Sequence, residues 1–134
     1  MRIKTPKEKT ITRLVDSCRT ASRREKKVRK GIDQCDITFE GMSSLMETQQ
    51  WKCAERGHSF VIMDKRYKVE QRNELGINSL LLPSIDRIDN NKGYTMDNIR
   101  IVSFGYNQLR NRHSDSDVSE WINLIKSDSY DKSN

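Results

Sequence analysis

The chain has 134 residues, 34% of them hydrophobic and 33% charged, with a mean hydropathy of -0.88. That length and polarity fit one domain with a modest core and exclude two substantial ones. The longest apolar run, Leu80 to Leu82 before Pro83, is far short of the roughly 20 residues a bilayer span needs, and no apolar secretory stretch opens the chain, so an intracellular protein is expected.

Charge is concentrated at one end. Met1 to Gly31 holds 12 Lys and Arg against Glu8, Asp16 and Glu25, a net +9, whereas the other 103 residues hold 13 basic and 16 acidic groups, a net -3. A positive excess on one segment suits a polyanion, because each cation set on a phosphate releases condensed counterions. Nucleic acid is the expected partner, with Arg13, Arg19, Arg23, Arg24, Lys26 and Lys27 as contacts.

From Lys9 onward, Ile11, Leu14, Val15, Cys18 and Ser22 recur at helical spacing, which predicts an amphipathic basic helix ending near Gly31. A second helix is expected after Thr38 as N-cap, with Phe39, Met42, Leu45 and Met46 as its apolar stripe running towards Gln50 and Trp51. Cys18, Cys35 and Cys53 are odd in number and contain no C-x-x-C pair, which speaks for free thiols in a reducing compartment and against a zinc ribbon. His58 to Met63 reads as a short strand, and Asp64 to Asn78 as a loop or loose helix. Leu80 to Asp89 is extended, since Pro83 disfavours helix before it. Asn90 to Gly93 marks a tight turn, and Ile99, Ile101 and Val102 a second strand. Phe104 to Arg112 reads as a helix, with Phe104 and Leu109 towards the core and Gln108, Arg110 and Arg112 towards solvent. Tyr94 and Tyr106 read as packing residues. A last helix, Asp117 to Lys126, is expected behind Ser116 or Asp115, with Val118, Trp121, Ile122 and Ile125 on one face and a frayed tail from Ser127.

The densest chemistry lies in Pro83 to Asn111, PSIDRIDNNKGYTMDNIRIVSFGYNQLRN. It sets a carboxylate on one strand, Asp86, an amide after a Gly-containing loop, Asn98, and a second amide on the next helix, Asn107. A helix packed across the hairpin can bring Asp86 and Asn107 together, and such oxygen donors suit Mg²⁺ or Mn²⁺. An ion there can polarise a phosphate and stabilise a leaving alkoxide.

On these residues the chain resembles the HNH nucleases of phages and mobile elements. Ser84 to Asp89, Lys92 to Tyr94 and Asp97 to Asn98 match the S-x-D-R-I-D, K-G-Y, D-N subgroup, while Asp36 to Thr38 and Cys53 look like its upstream pattern. The resemblance is dense over about 30 residues and looser elsewhere. It implies an α+β fold whose small strand, strand, helix metal core is flanked by basic N-terminal and C-terminal helices. Expected boundaries are 1–31 for the basic arm, 32–126 for the nuclease-like domain with its core at 83–111, and 127–134 for the tail. It also implies a metal-dependent DNA endonuclease of nicking or homing type, in the cytoplasm of a bacterial or phage-infected cell. Asp86 and Asn107 would hold the metal, and Asp86, Arg87 and Asn98 would form the catalytic set, with Asn98 pinning the loop. Lys92 and Arg110 would touch phosphates.

Arg87 stands where many of these enzymes carry the His that deprotonates water, and an arginine stays protonated. The same subgroup shares the Arg, which would clamp the phosphate and leave water activation to the metal, His58 or His113. The competing reading is a DNA-binding or protein-interaction module of the same fold without cleavage. An RNA-binding factor using the basic arm alone leaves Asp86 to Asn107 unexplained.

Overall fold

A computed structural model describes residues 3–28, 35–63 and 74–131. It is a mixed helix and strand structure, with five α-helices and one two-stranded antiparallel sheet among the described residues. No described helix is long and apolar enough to cross a membrane.

Helix α1 spans Pro6–Val28, so it starts three residues before the apolar periodicity does. The cause is a reciprocal cap. Thr5 Oγ1 accepts from the Glu8 amide at 3.1 Å and Glu8 Oε1 accepts from the Thr5 amide at 3.4 Å, with Pro6 in the first helical position. The expected end near Gly31 lies outside the described residues. Ile11, Leu14, Val15 and Cys18 of α1 are buried in the same core as the rest of the chain, so the basic segment is an integral wall.

Helix α2, Phe39–Thr48, begins where Thr38 Oγ1 accepts from the Gly41 amide at 3.0 Å. It buries Met42 and Met46 completely, while Phe39 is 37% exposed. The backbone then reverses through Gln50 and Trp51, both left-handed with φ of 57° and 56°. His58 to Met63 is not the expected strand. It makes one isolated bridge, Lys52 with Ser59, and its other bonds scatter: Phe60 to the Trp51 carbonyl, Val61 to the Leu81 carbonyl, and Arg13 Nη2 to the Met63 carbonyl. Within the expected loop Asp64 to Asn78, residues 64–73 lie outside the description, and α3, Ile77–Leu80, supplies one helical turn.

Strands β1, Pro83–Arg87, and β2, Ile99–Ser103, pair with Asp86 opposite Arg100 and Ile85 opposite Ile101. Helix α4, Phe104–Arg110, follows β2 without a loop and buries Tyr106, whereas Phe104 and Leu109 are half-buried. Helix α5 spans Asp115–Asp131, beyond both expected ends. Ser114, rather than Ser116 or Asp115, caps it, its Oγ accepting from the Asp117 amide at 3.1 Å. The frayed tail expected from Ser127 is therefore helical up to Asp131. Only Val118 of the expected apolar face is fully buried, and Trp121 and Ile125 are 52% and 46% exposed.

Alternation along the strands places the layers. Ser84, Asp86, Arg100 and Val102 share the sheet face that meets α4, while Ile85, Arg87, Ile99 and Ile101 share the face towards α1. The outer edge of β2 is closed by side chain as well as backbone. Gln49 Oε1 accepts from the Ile101 amide at 3.0 Å and Gln49 Nε2 donates to the Ile101 carbonyl at 2.8 Å, with the Ala54 amide donating to that same carbonyl.

Met42→Ala should cost about 2 to 5 kcal/mol, because a fully buried side chain leaves a cavity, and Thr38→Ala about 1 kcal/mol through the lost cap. Urea unfolding followed by circular dichroism reads both.

Candidate functional site

Asp86 is the last but one residue of β1 and the one buried charged side chain among the described residues, at 5% exposed. A lone carboxylate there would be costly, and Arg100 from the facing register position resolves it. Arg100 Nε donates to Asp86 Oδ2 at 2.8 Å, Nη1 to Glu55 Oε2 at 2.9 Å and Nη2 to Asp115 Oδ1 at 2.9 Å. Its guanidinium also lies 5.9 Å from the centre of the Tyr106 ring. One side chain thus joins both strands to the 53–58 turn, α4 and the start of α5.

The network sets protonation as well as position. Burial works against the charge on Arg100, but the bonds to Asp86 and Asp115 outweigh it and raise its pKa. Burial, then the hydrogen bond from its hydroxyl to Asp115, raises Tyr106. Asp115 takes donors from Arg100 and Tyr106 on one oxygen, and Arg110 Nε lies 3.2 Å from that oxygen without hydrogen-bond geometry. Burial would raise its pKa, yet the Tyr106 and Arg100 bonds and the nearby arginines hold it below the ordinary carboxylate value.

Asn107 joins the Asp86 face through β1. Its Nδ2 donates to Ser84 Oγ at 2.7 Å and to the Ile85 carbonyl at 3.1 Å, and Ser84 is two residues from Asp86 on the same side of the strand. Asn98 is buried and spends its amide on the loop, accepting from the Asp89 amide at 3.0 Å and donating to the Asp89 and Gly93 carbonyls at 3.0 and 2.9 Å. It braces the 89–93 turn and points no free group at Asp86.

Arg87 is not beside Asp86. As the next residue on a strand it faces the opposite side, where Nη2 lies 3.3 Å from Glu25 of α1, Nη1 donates to the Lys92 carbonyl, and the guanidinium stacks 4.7 Å from the centre of the Tyr94 ring. His58 Nε2 is buried without a partner among the described residues, and His113 is exposed. Neither bonds Asp86.

The expected DNA contacts divide. Arg13 donates to Thr10 and to the Met63 carbonyl, and Arg110 is drawn to Asp115, so both are turned inward. Arg19, Arg23, Arg24 and Lys92 are exposed, and Arg23 and Arg24 form no ion pair with a described residue. The side chains of Lys26 and Lys27 lie outside the description.

The fit of a divalent ion follows from the donors. Asp86 Oδ1 and Asn107 Oδ1 bond no described donor, and a carboxylate with an amide oxygen suits a hard cation that keeps waters and takes phosphate oxygens. Against this, Asp86 Oδ2 already holds Arg100, and no group of three or more His, Cys, Asp and Glu among the described residues could hold a metal. The donor types fit, with Arg100 sharing the carboxylate. Sequence reasoning did not single out Arg100, and the signal available was its place two residues before Val102, the expected end of the strand facing Asp86.

The chain was compared with family models, with curated proteins and with solved structures. None of the three gave a match.

Arg100→Met should cost about 3 kcal/mol or more by leaving Asp86 buried and unpaired, and adding Asp86→Asn should recover part of it. Chemical unfolding of the two single variants and the double variant measures the coupling. Asp115 gives a pH signature. Its depressed pKa adds stability that is complete above the unfolded value of about 3.9 and is lost as pH falls through the folded value. The melting-temperature gap between parent and Asp115→Asn should therefore narrow as pH is lowered from about 5 towards 2.

Proposed function

We propose that the chain is a metal-dependent DNA endonuclease of HNH type, with β1, β2 and α4 as its cutting unit and α1 as part of its DNA-binding surface. The observation that carries this reading is the buried Asp86 carboxylate on the strand face to which Asn107 is bonded through Ser84. Two further features support it: strand, turn, strand and helix follow in the order of the resemblance, and Asn98 braces the turn. Asp86 and Asn107 would hold Mg²⁺ or Mn²⁺, which when bound would polarise the scissile phosphate and stabilise the leaving alkoxide.

The protein's own groups have separate tasks. Arg100 donates to Asp86 Oδ2 and so fixes the orientation of the carboxylate. Ser84 and the Ile85 carbonyl orient the Asn107 amide so that its oxygen is left over. Exposed Arg19, Arg23, Arg24 and Lys92 supply phosphate contacts.

A second reading is a DNA-binding module that has lost cleavage. The Arg100–Asp86 ion pair, together with the orientation of Arg87 towards Glu25, favours it, because no histidine or second carboxylate among the described residues bonds Asp86.

Supercoiled plasmid incubated with the protein and Mg²⁺ or Mn²⁺ separates the two. Nicked circles from the parent and none from Asp86→Ala, with DNA retention intact, are expected. Retention without nicking in either metal would establish the second reading. Because α1 is part of the core, the electrostatic test uses point changes in place of truncation. Arg19→Gln with Arg23→Gln should weaken duplex binding and reduce the slope of log affinity against log salt by roughly 1 to 2.

A further inference from the structure

The seam between α1 and β1 is incompletely filled. Leu14, Ser17, Ala21 and Arg24 recur at spacings of three, four and three, so they form one stripe down α1 that faces the start of β1. Ser17 and Ala21 are too small to fill the gap, and a cleft of about 310 Å³ remains between the stripe and Leu82 to Ile85. That size lies near the lower end of small-ligand sites, roughly 300 to 1,000 Å³. Its lining is mixed: Leu14 and Leu82 are apolar, Ser17 carries a hydroxyl, and Tyr94 and Phe104 are its aromatic members. Arg24 also lines it, is exposed, and pairs with no described carboxylate. The nearest acidic side chain on α1, Glu25, is already neutralised by Arg87. The local charge is therefore positive. Ser84 connects the cleft to the Asp86 face, since its hydroxyl accepts from Asn107.

We infer that this cleft receives one unpaired nucleotide of a DNA strand, with Arg24 on its phosphate and its base against the Tyr94 and Phe104 side of the lining. The chemistry matches how single strands are held, by a cation tracking the backbone and aromatic surface taking an unstacked base. The stacked bases of a duplex have no free face to offer and cannot enter a slot of one-nucleotide size. The inference deepens the DNA reading above but does not depend on cleavage.

The test measures binding in EDTA, where nicking plays no part, by fluorescence anisotropy of a labelled oligothymidylate and of a labelled blunt-ended duplex annealed from two strands. Ala21→Phe fills the cleft from the helix side. It should weaken oligothymidylate binding about tenfold, the size of one lost base-stacking contact, and leave duplex binding within about twofold. Arg24→Gln should weaken the single strand more than the duplex. If circular dichroism shows Ala21→Phe unfolded, Ser17→Leu narrows the same cleft from its exposed side and takes its place. Unchanged oligothymidylate affinity in the folded filling variant, or equal losses for both DNA forms, would overturn the inference. A parent that nicks plasmid with such a result keeps the endonuclease reading and loses the cleft, whereas a parent that binds neither form loses both.

Discussion

One guanidinium holds the strand-bearing half of this protein together. Arg100 touches carboxylates from a strand, a turn and a helix start, and its partners lie 14, 45 and 15 residues away in sequence. A buried pair of this kind is costly to desolvate, and breaking it on one side costs more than never having built it. The result is a junction in which Asp86 is paired, oriented and shielded at once. Any cation brought to Asp86 would have to share that carboxylate with Arg100, the same contact that ties the strands to the 53–58 turn and to α5.

How much of this could be read from residues alone depends on how local the cause is. Thr38 as a cap, the Asn90 to Gly93 turn and the helix after Val102 all rest on short-range chemistry, and all three appear in the structure, whereas the extended run expected from Leu80 begins only at Pro83, because Leu80 closes α3. The start of α1 was also local, since Thr5 and Glu8 carry the reciprocal-cap pattern ahead of the apolar periodicity. The failure at His58 to Met63 has another origin. Those residues have strand composition, yet their hydrogen-bonding groups find partners in several different segments, and composition says nothing about where a partner lies.

The site shows the same division. Asn98 could be read as a loop brace because its partners are 5 and 9 residues away. Arg100 could not, because nothing in its neighbourhood announces Glu55. The direction of Arg87, by contrast, follows from the strand itself: consecutive residues point to opposite faces, so Asp86 and Arg87 cannot both serve one side of β1. Charge counting had a similar blind spot. It weighs Arg13 and Arg23 equally, whereas Arg13 is spent on the Met63 carbonyl and Arg23 is exposed.

The Gln49 side chain has a consequence beyond the fold of one molecule. A sheet of two strands has two open edges, and an open edge is a template on which another chain can add a strand. Gln49 presents an amide to Ile101 as a neighbouring strand would, occupying both its donor and its acceptor. At the other edge Asn107 takes the Ile85 carbonyl. An incoming strand would thus find Ile101 on one edge and the Ile85 carbonyl on the other already occupied by side-chain amides.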